Sequence, residues 1–121
     1  MSLVLRSIIE KGDLAKERLT LKATSDLDVG DYALLQCGLV DGTLTTEVLR
    51  AFWFPYSPVL DGDLVVLYSK VGESRHKTLA SGSKAHFFYW GNTSPIWTED
   101  RAAVILKAPE WSSKSLAELT K

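Results

Sequence analysis

Between Ala85 and Ala108 the chain reads AHFFYWGNTSPIWTEDRAAVILKA, two short apolar runs on either side of a polar turn. This stretch holds two of the four Trp and two of the four Phe. Aromatic and β-branched residues in short runs bounded by turn residues fit a pleated, half-buried surface better than a helix face. The stretch therefore predicts two strands that cross a core and meet at an aromatic-lined corner. Successive strand residues point to opposite sides, so two of Phe87, Phe88, Tyr89 and Trp90 must face away from whichever side is core. Whatever covers that outward side, be it a partner, the N-terminal segment or the tail around Trp111, bears directly on function.

The rest of the chain repeats the strand signal. Leu19, Leu21 and Ala23 alternate with Arg18, Thr20 and Lys22, giving one core face and one wet face. Residues 24–31, TSDLDVGD, form a turn whose Asp and Ser side chains can bond their own backbone and whose Gly30 tolerates positive φ. Tyr32 to Gly38 reads as a buried strand, and Asp41-Gly42 predicts a hairpin into Leu44–Phe54. Pro55, with no N–H to donate, ends that pairing. Asp61-Gly62-Asp63 turns the chain into a buried strand, Leu64 to Tyr68. Lys70 to Lys84 is a mobile loop or a short exposed edge strand, and Ser2 to Ile9 is an edge strand or short helix. Seven to eight short strands with regular turns predict an all-β sandwich over residues 1–109. Residues 110–121 form a tail or a short helix through Leu116, Ala117 and Leu119, capped by Ser112 or Ser113.

Composition narrows the class. A chain of 121 residues with 45% hydrophobic content is one domain, able to bury roughly two thirds of its unfolded surface. Cys37 is the only cysteine, which excludes an intramolecular disulfide and a cysteine zinc site; its apolar surroundings suit a small buried hydrophobe. Fourteen basic against fifteen acidic residues give a charge of −1, so bulk electrostatics do not favour nucleic acid or an anionic membrane. The start lacks the features of a secretory signal, and no apolar run nears the ~20 residues of a membrane span. The expected location is the cytoplasm, with a viral particle or a host-cell interior left open.

The order of these segments resembles the lamin-tail domain, an immunoglobulin-like sandwich of nuclear lamins that also occurs, alone or appended, in bacterial and viral proteins. The likeness covers residues 17 to 108. It begins at ERLTLKATSDLDVGDYAL, where Val29, Tyr32 and Leu34 stand at the entry to the second strand of the pattern. It continues through FWFPYSPVLDGDLVVLYS and ends at FFYWGNTSPIWTEDRAAVILKA, where Trp97 precedes a polar turn and Asp100 precedes the last strand. The chain departs from the pattern in the TED turn after Trp97 and in Ala108-Pro109-Glu110 after the last strand. The resemblance implies a scaffold or interaction module with no catalytic residues. In lamins such a domain helps to bind partners, chromatin among them; in bacterial proteins it often accompanies an enzyme domain.

Candidate chemistry is sparse. His76 and His86 are the only imidazoles, and neither sits in a recognisable nucleophile, phosphate-loop or metalloprotease motif, so an enzyme is not expected and no cofactor is implied. Asp26, Asp28 and Asp31 in one turn and Asp61 and Asp63 in another offer oxygen ligands for a metal should the turns meet, but such residues more often simply make turns. Lys70, Arg75, His76, Lys77 and Lys84 form a basic run suited to phosphate oxygens of nucleic acid or a phosphorylated ligand. In the Phe52-Trp53-Phe54 strand, Trp53 faces away if its neighbours are core. Outward aromatics mark interaction surfaces, which makes Trp53, Tyr56, Tyr89 and Trp90 the contact residues for a protein partner or for self-association. The leading expectation is a non-catalytic interaction or assembly module, with phosphate binding through residues 70–84 as the alternative and no membrane role.

Overall fold

In the computed structural model, which describes residues 3–120, alternation decides the layout from the first long strands onward. Met1, Ser2 and Lys121, the ends of the ranges read from the sequence, lie outside the described residues. The strands are β1 (Leu3–Ile9), β2 (Arg18–Ala23), β3 (Leu27–Asp28), β4 (Tyr32–Val40), β5 (Thr43–Trp53), β6 (Pro58–Val59), β7 (Leu64–Tyr68), β8 (Arg75–Thr78), β9 (Lys84–Tyr89) and β10 (Arg101–Lys107). Eight of them have four or more residues; β3 and β6 are two-residue pairings. A single helical turn, α1 (Leu116–Leu119), follows.

The chain is an all-β sandwich. One sheet runs β1-β2-β7-β9-β8 and the other β10-β4-β5, with β3 and β6 paired separately. Neighbours are antiparallel except β7 and β9, which run parallel with Leu64 opposite Ala85 and Tyr68 opposite Tyr89. Parallel neighbours need a crossover. Here the crossover is the segment after Tyr68, and it contributes the outer strand β8 on its way to β9. The basic stretch 70–84 is thus an exposed edge strand with turns.

Between the sheets, Leu19, Leu21, Val65, Leu67 and Phe88 face Tyr32, Leu34 and Phe54, and Ile96 and Trp97 close one side. Phe54 sits edge-on between Phe52 and Phe88, with ring centroids 5.1 and 5.2 Å away, the geometry preferred by ring quadrupoles. Cys37 is buried and free, as its apolar run predicts.

Two turns carry local detail. Asp41 and Gly42 both have positive φ, 50° and 76°, which is the mirror-image turn that matches the twist of a hairpin. Gly30 lies in the 3-10 turn Val29–Asp31, and its requirement is space rather than positive φ: a Cβ there would stand 2.2 Å from Cδ1 of Tyr56. At the C-terminal end the helix cap is Ser115, not Ser112 or Ser113. Its hydroxyl accepts from the Glu118 N–H while the Glu118 carboxylate accepts from the Ser115 N–H, and the helix begins where this reciprocal pair forms.

Glu17, just before β2, is wholly buried and ties three segments together. Its Oε1 accepts from the Gly12 N–H at 2.9 Å, and its Oε2 accepts from Ser69 Oγ at 2.5 Å and from the Ile96 N–H at 2.9 Å. A buried carboxylate needs such partners.

Candidate functional site

The two outer faces of the sandwich have opposite chemistry. On the three-stranded sheet, Tyr32, Leu34 and Gln36 of β4 are buried in the core, so Ala33 and Leu35 between them face out. Register places Val104 and Leu106 of β10 on one side of this pair and Ala51 and Trp53 of β5 on the other. Every one of these six side chains is apolar, and all are half-buried or exposed. A sheet with one wet face ordinarily alternates apolar-in with polar-out. This face breaks that rule.

Its most prominent feature lies at one end. Trp53 is 50% exposed and Trp111, from the tail, 51%; their rings meet edge to face with centroids 4.9 Å apart. The Trp53 indole N–H donates to the Gly30 carbonyl at 2.7 Å, and the Trp111 indole N–H donates to Tyr56 Oη at 3.1 Å. Tyr56 is 60% exposed and lies flat against Gly30. Trp53, Trp111, Ala33, Ala51, Ala108 and Tyr32 line a groove of about 290 Å³.

On the five-stranded sheet, Val65, Leu67 and Phe88 are core, so Val66 and Tyr68 of β7 and Ala85, Phe87 and Tyr89 of β9 face out. Phe87 and Tyr89 are therefore the outward pair of the FFYW run, and the protein covers them itself. Tyr68 and Tyr89 stack at 5.2 Å with planes 11° apart. Gly72 crosses Tyr89 so closely that a Cβ would stand 2.4 Å from its ring. Phe87 is only 9% exposed and carries the Arg75 guanidinium at 4.6 Å from its centroid. Lys70 lies over Tyr68 at 5.0 Å and Arg18 at 5.7 Å.

The residues singled out from the sequence are thus divided. Trp53 and Tyr56 come together at the apolar groove. Tyr89 belongs to the opposite face, half-buried beneath Gly72, while Trp90 turns toward the core, 6.0 Å from Phe52 and 6.3 Å from Trp97. Of the basic run, Arg75 and Lys77 pair in register with Phe87 and Ala85 and share their outward face. His76 alternates to the other side and faces His86, centroids 6.0 Å apart; Lys84 opens β9 next to the outward Ala85. The tail around Trp111, one of the covers the sequence offered for outward aromatics, packs on Trp53 and not on Phe87 or Tyr89, whereas sequence reasoning missed Tyr68, Arg18 and Lys22 as members of these faces. For Arg18 and Lys22 the signal was present in their alternation with Leu19 and Leu21.

The acidic turns do structural work. Asp28 Oδ1 accepts from the Gly30 and Ser57 N–H groups, both at 2.8 Å, and Asp26 Oδ1 accepts from the Asp61 N–H at 2.9 Å. Asp63 is buried and accepts from the Leu60 N–H, the Lys84 N–H and His86 Nε2, the last at 2.8 Å. Burial works against its charge, but the Lys84 N–H, the His86 ring and the Leu60 N–H together hold its carboxyl below the ordinary value of 3.8. Among the described residues no three His, Cys, Asp or Glu are grouped to hold a metal ion. His86 lines a small pocket of about 150 Å³ with Ser57, Ser74, Arg75, His76 and Phe88, and its hydrogen-bond partner among the described residues is Asp63.

Comparison with protein-family models and with curated proteins finds no match for this chain. No helix among the described residues is long and apolar enough to cross a membrane.

Proposed function

We propose that this chain is a non-catalytic interaction module that assembles through the outer face of β10-β4-β5. The observation that carries the reading is the run of apolar side chains across that sheet, from Leu106 and Val104 through Ala33 and Leu35 to Ala51 and Trp53, with no charge at those register positions. Sheets of two layers pack about 10 Å apart through such faces, and the match to another uncharged sheet face is self-complementary. A second copy of the chain is therefore the simplest occupant. The lamin-tail resemblance supports a binding rather than a catalytic role, and a cytoplasmic setting suits the free buried thiol of Cys37.

Sedimentation velocity over a range of protein concentrations tests the proposal. The wild-type chain is expected to shift toward a dimer as concentration rises, and Leu106→Asp, which puts a charge on an exposed position of the face, is expected to abolish the shift without unfolding the protein. A wild-type protein that stays monomeric throughout would overturn self-association through this face.

A further inference from the structure

Away from both outer faces, the sandwich brings the two histidines of the chain together. We infer that His76 and His86 hold a divalent late first-row metal ion, of the class that Zn²⁺ represents, between β8 and β9.

Register is the first support. In the antiparallel pair β8 and β9, His76 stands directly opposite His86, so both side chains leave the sheet on the same side. They are the only histidines in the sequence. Their ring centroids lie 6.0 Å apart, with planes at 47°. Two imidazoles on one tetrahedral ion, with metal–nitrogen bonds of about 2.0 Å, stand about 5 Å apart centroid to centroid. His76 is exposed, and a small turn of its side chain covers the difference.

The hydrogen bonding of His86 is the second. Its side chain is 9% exposed, and Nε2 lies 2.8 Å from Oδ2 of the buried Asp63. Asp63 also accepts from the Leu60 and Lys84 N–H groups, as an ionised carboxylate does, so the ring donates through Nε2. A neutral imidazole held in that tautomer carries its lone pair on Nδ1. Nδ1 has no hydrogen-bond partner among the described residues. Nor is it sealed from solvent, since the buried side-chain atoms left unpartnered there are Tyr32 Oη and Asn92 Nδ2. Metal-ligating histidines are oriented in this way, with a carboxylate on one nitrogen and the ion on the other.

The surroundings fit a cation. Both histidines line the pocket of about 150 Å³, and Ser57 and Ser74 border it with hydroxyl groups suited to the remaining waters of an ion. Arg75 borders it as well, but its guanidinium lies over Phe87 on the outward face. Imidazole nitrogen selects Zn²⁺, Cu²⁺ or Ni²⁺, whereas Ca²⁺ and Mg²⁺ take oxygen. Among the described residues no three His, Cys, Asp or Glu are grouped, so the ion keeps open positions and exchanges with solvent. Since β8 is the edge strand of its sheet, an ion shared with β9 clips that edge in place. This inference is independent of the apolar face.

Titration of tag-free, metal-free protein with Zn²⁺, followed by calorimetry and by ¹H–¹⁵N spectra of the imidazole rings, tests it. One ion per chain is expected, with the resonances of both rings moving together. The ion should also raise the thermal midpoint, because it binds the folded chain. His76→Gln alters an exposed side chain outside the core, and should weaken binding at least about 10-fold and remove the thermal shift. No movement of either ring up to about 1 mM Zn²⁺ would overturn the inference. So would movement of the His76 ring alone, or affinity unchanged in a folded His76→Gln variant. One ion per two chains would place the ligands in different copies and overturn it as well. Inorganic phosphate that moved both rings as far as Zn²⁺ does would mark an anion pocket, with the same consequence.

Discussion

The Trp111 indole stands edge-on to Trp53, 86° between their planes, joining the C-terminal tail to the outer face of β5. The two residues are 58 positions apart, yet together they build the wall of the apolar groove. Both stay half exposed, so they add little to the stability of the core and much to the shape of that surface. A Trp53→Ala and Trp111→Ala double-mutant cycle in urea should give a coupling of about 0.5–1.5 kcal/mol, the worth of an aromatic pair beyond its burial. Zero coupling would mean that the tail does not dock there in solution.

Glu17 makes the opposite kind of contact, wholly internal. Its Oε2 receives both the Ser69 hydroxyl and the Ile96 N–H. Glu17→Gln keeps the size of the side chain, but if the amide nitrogen takes the place of Oε2, donor meets donor in a buried site. Loss of about 1–3 kcal/mol is expected from denaturant unfolding. Ser69→Ala should cost less, because the Ile96 and Gly12 bonds remain. A Glu17→Gln protein as stable as wild type would remove this carboxylate from the account of what joins the loops.

Acid should act through Asp63. Its carboxyl is held below the ordinary 3.8 by the Lys84 N–H, the His86 ring and the Leu60 N–H, which outweigh the cost of burial. A carboxyl depressed in the folded state stabilises the protein fully above its unfolded pKa, and that stabilisation is lost as pH falls through the folded value. Asp63→Asn should therefore lower the urea midpoint at neutral pH. The gap to wild type should narrow once the pH drops below about 3.8. A gap independent of pH would show that the charge of Asp63 contributes nothing beyond shape.

How much of this could be read from the chain depends on the range of the interaction. Alternation at Leu19, Leu21 and Ala23 and the Asp41-Gly42 turn are local signals, and both appear where local physics puts them. The sandwich class followed from many such signals in order. Pairing is not local: nothing in Arg75–Thr78 itself says that it lies antiparallel to β9, or that the segment leading to it lays Gly72 over Tyr89. For that reason the segment that covers Phe87 and Tyr89 could not be named from the sequence. Trp111 and Ser115 were obscured similarly, since a polar tail with two serines between them gives no periodicity to show which serine caps or where the Trp docks. At the candidate faces, residue type was legible and grouping was not. Trp53 and Tyr56 are sequence neighbours and stayed together, whereas Tyr89 ends β9 facing out and Trp90, the next residue, turns to the core side.

Gly72 offers the sharpest check on the basic face. A Cβ at this position would stand 2.4 to 2.7 Å from atoms of the Tyr89 ring, well inside any tolerable contact, so Gly72→Ala must displace either the segment or the ring. Overpacking of this kind typically costs about 1–3 kcal/mol. The distortion should stay on the outer side of the sheet, because Tyr89 packs with Tyr68 and Phe87 there and not with Phe54 or Leu67 in the core. Hydrogen exchange should then show lost protection in β8 and β9, with β2 and β4 unchanged. The variant Gly82→Ala is a suitable control: no atom lies within 4 Å of its Cβ, and its penalty comes from positive φ alone. If Gly72→Ala left exchange at β8 unaltered, the segment would not be held against Tyr89, and the outward aromatics would be open to solvent after all.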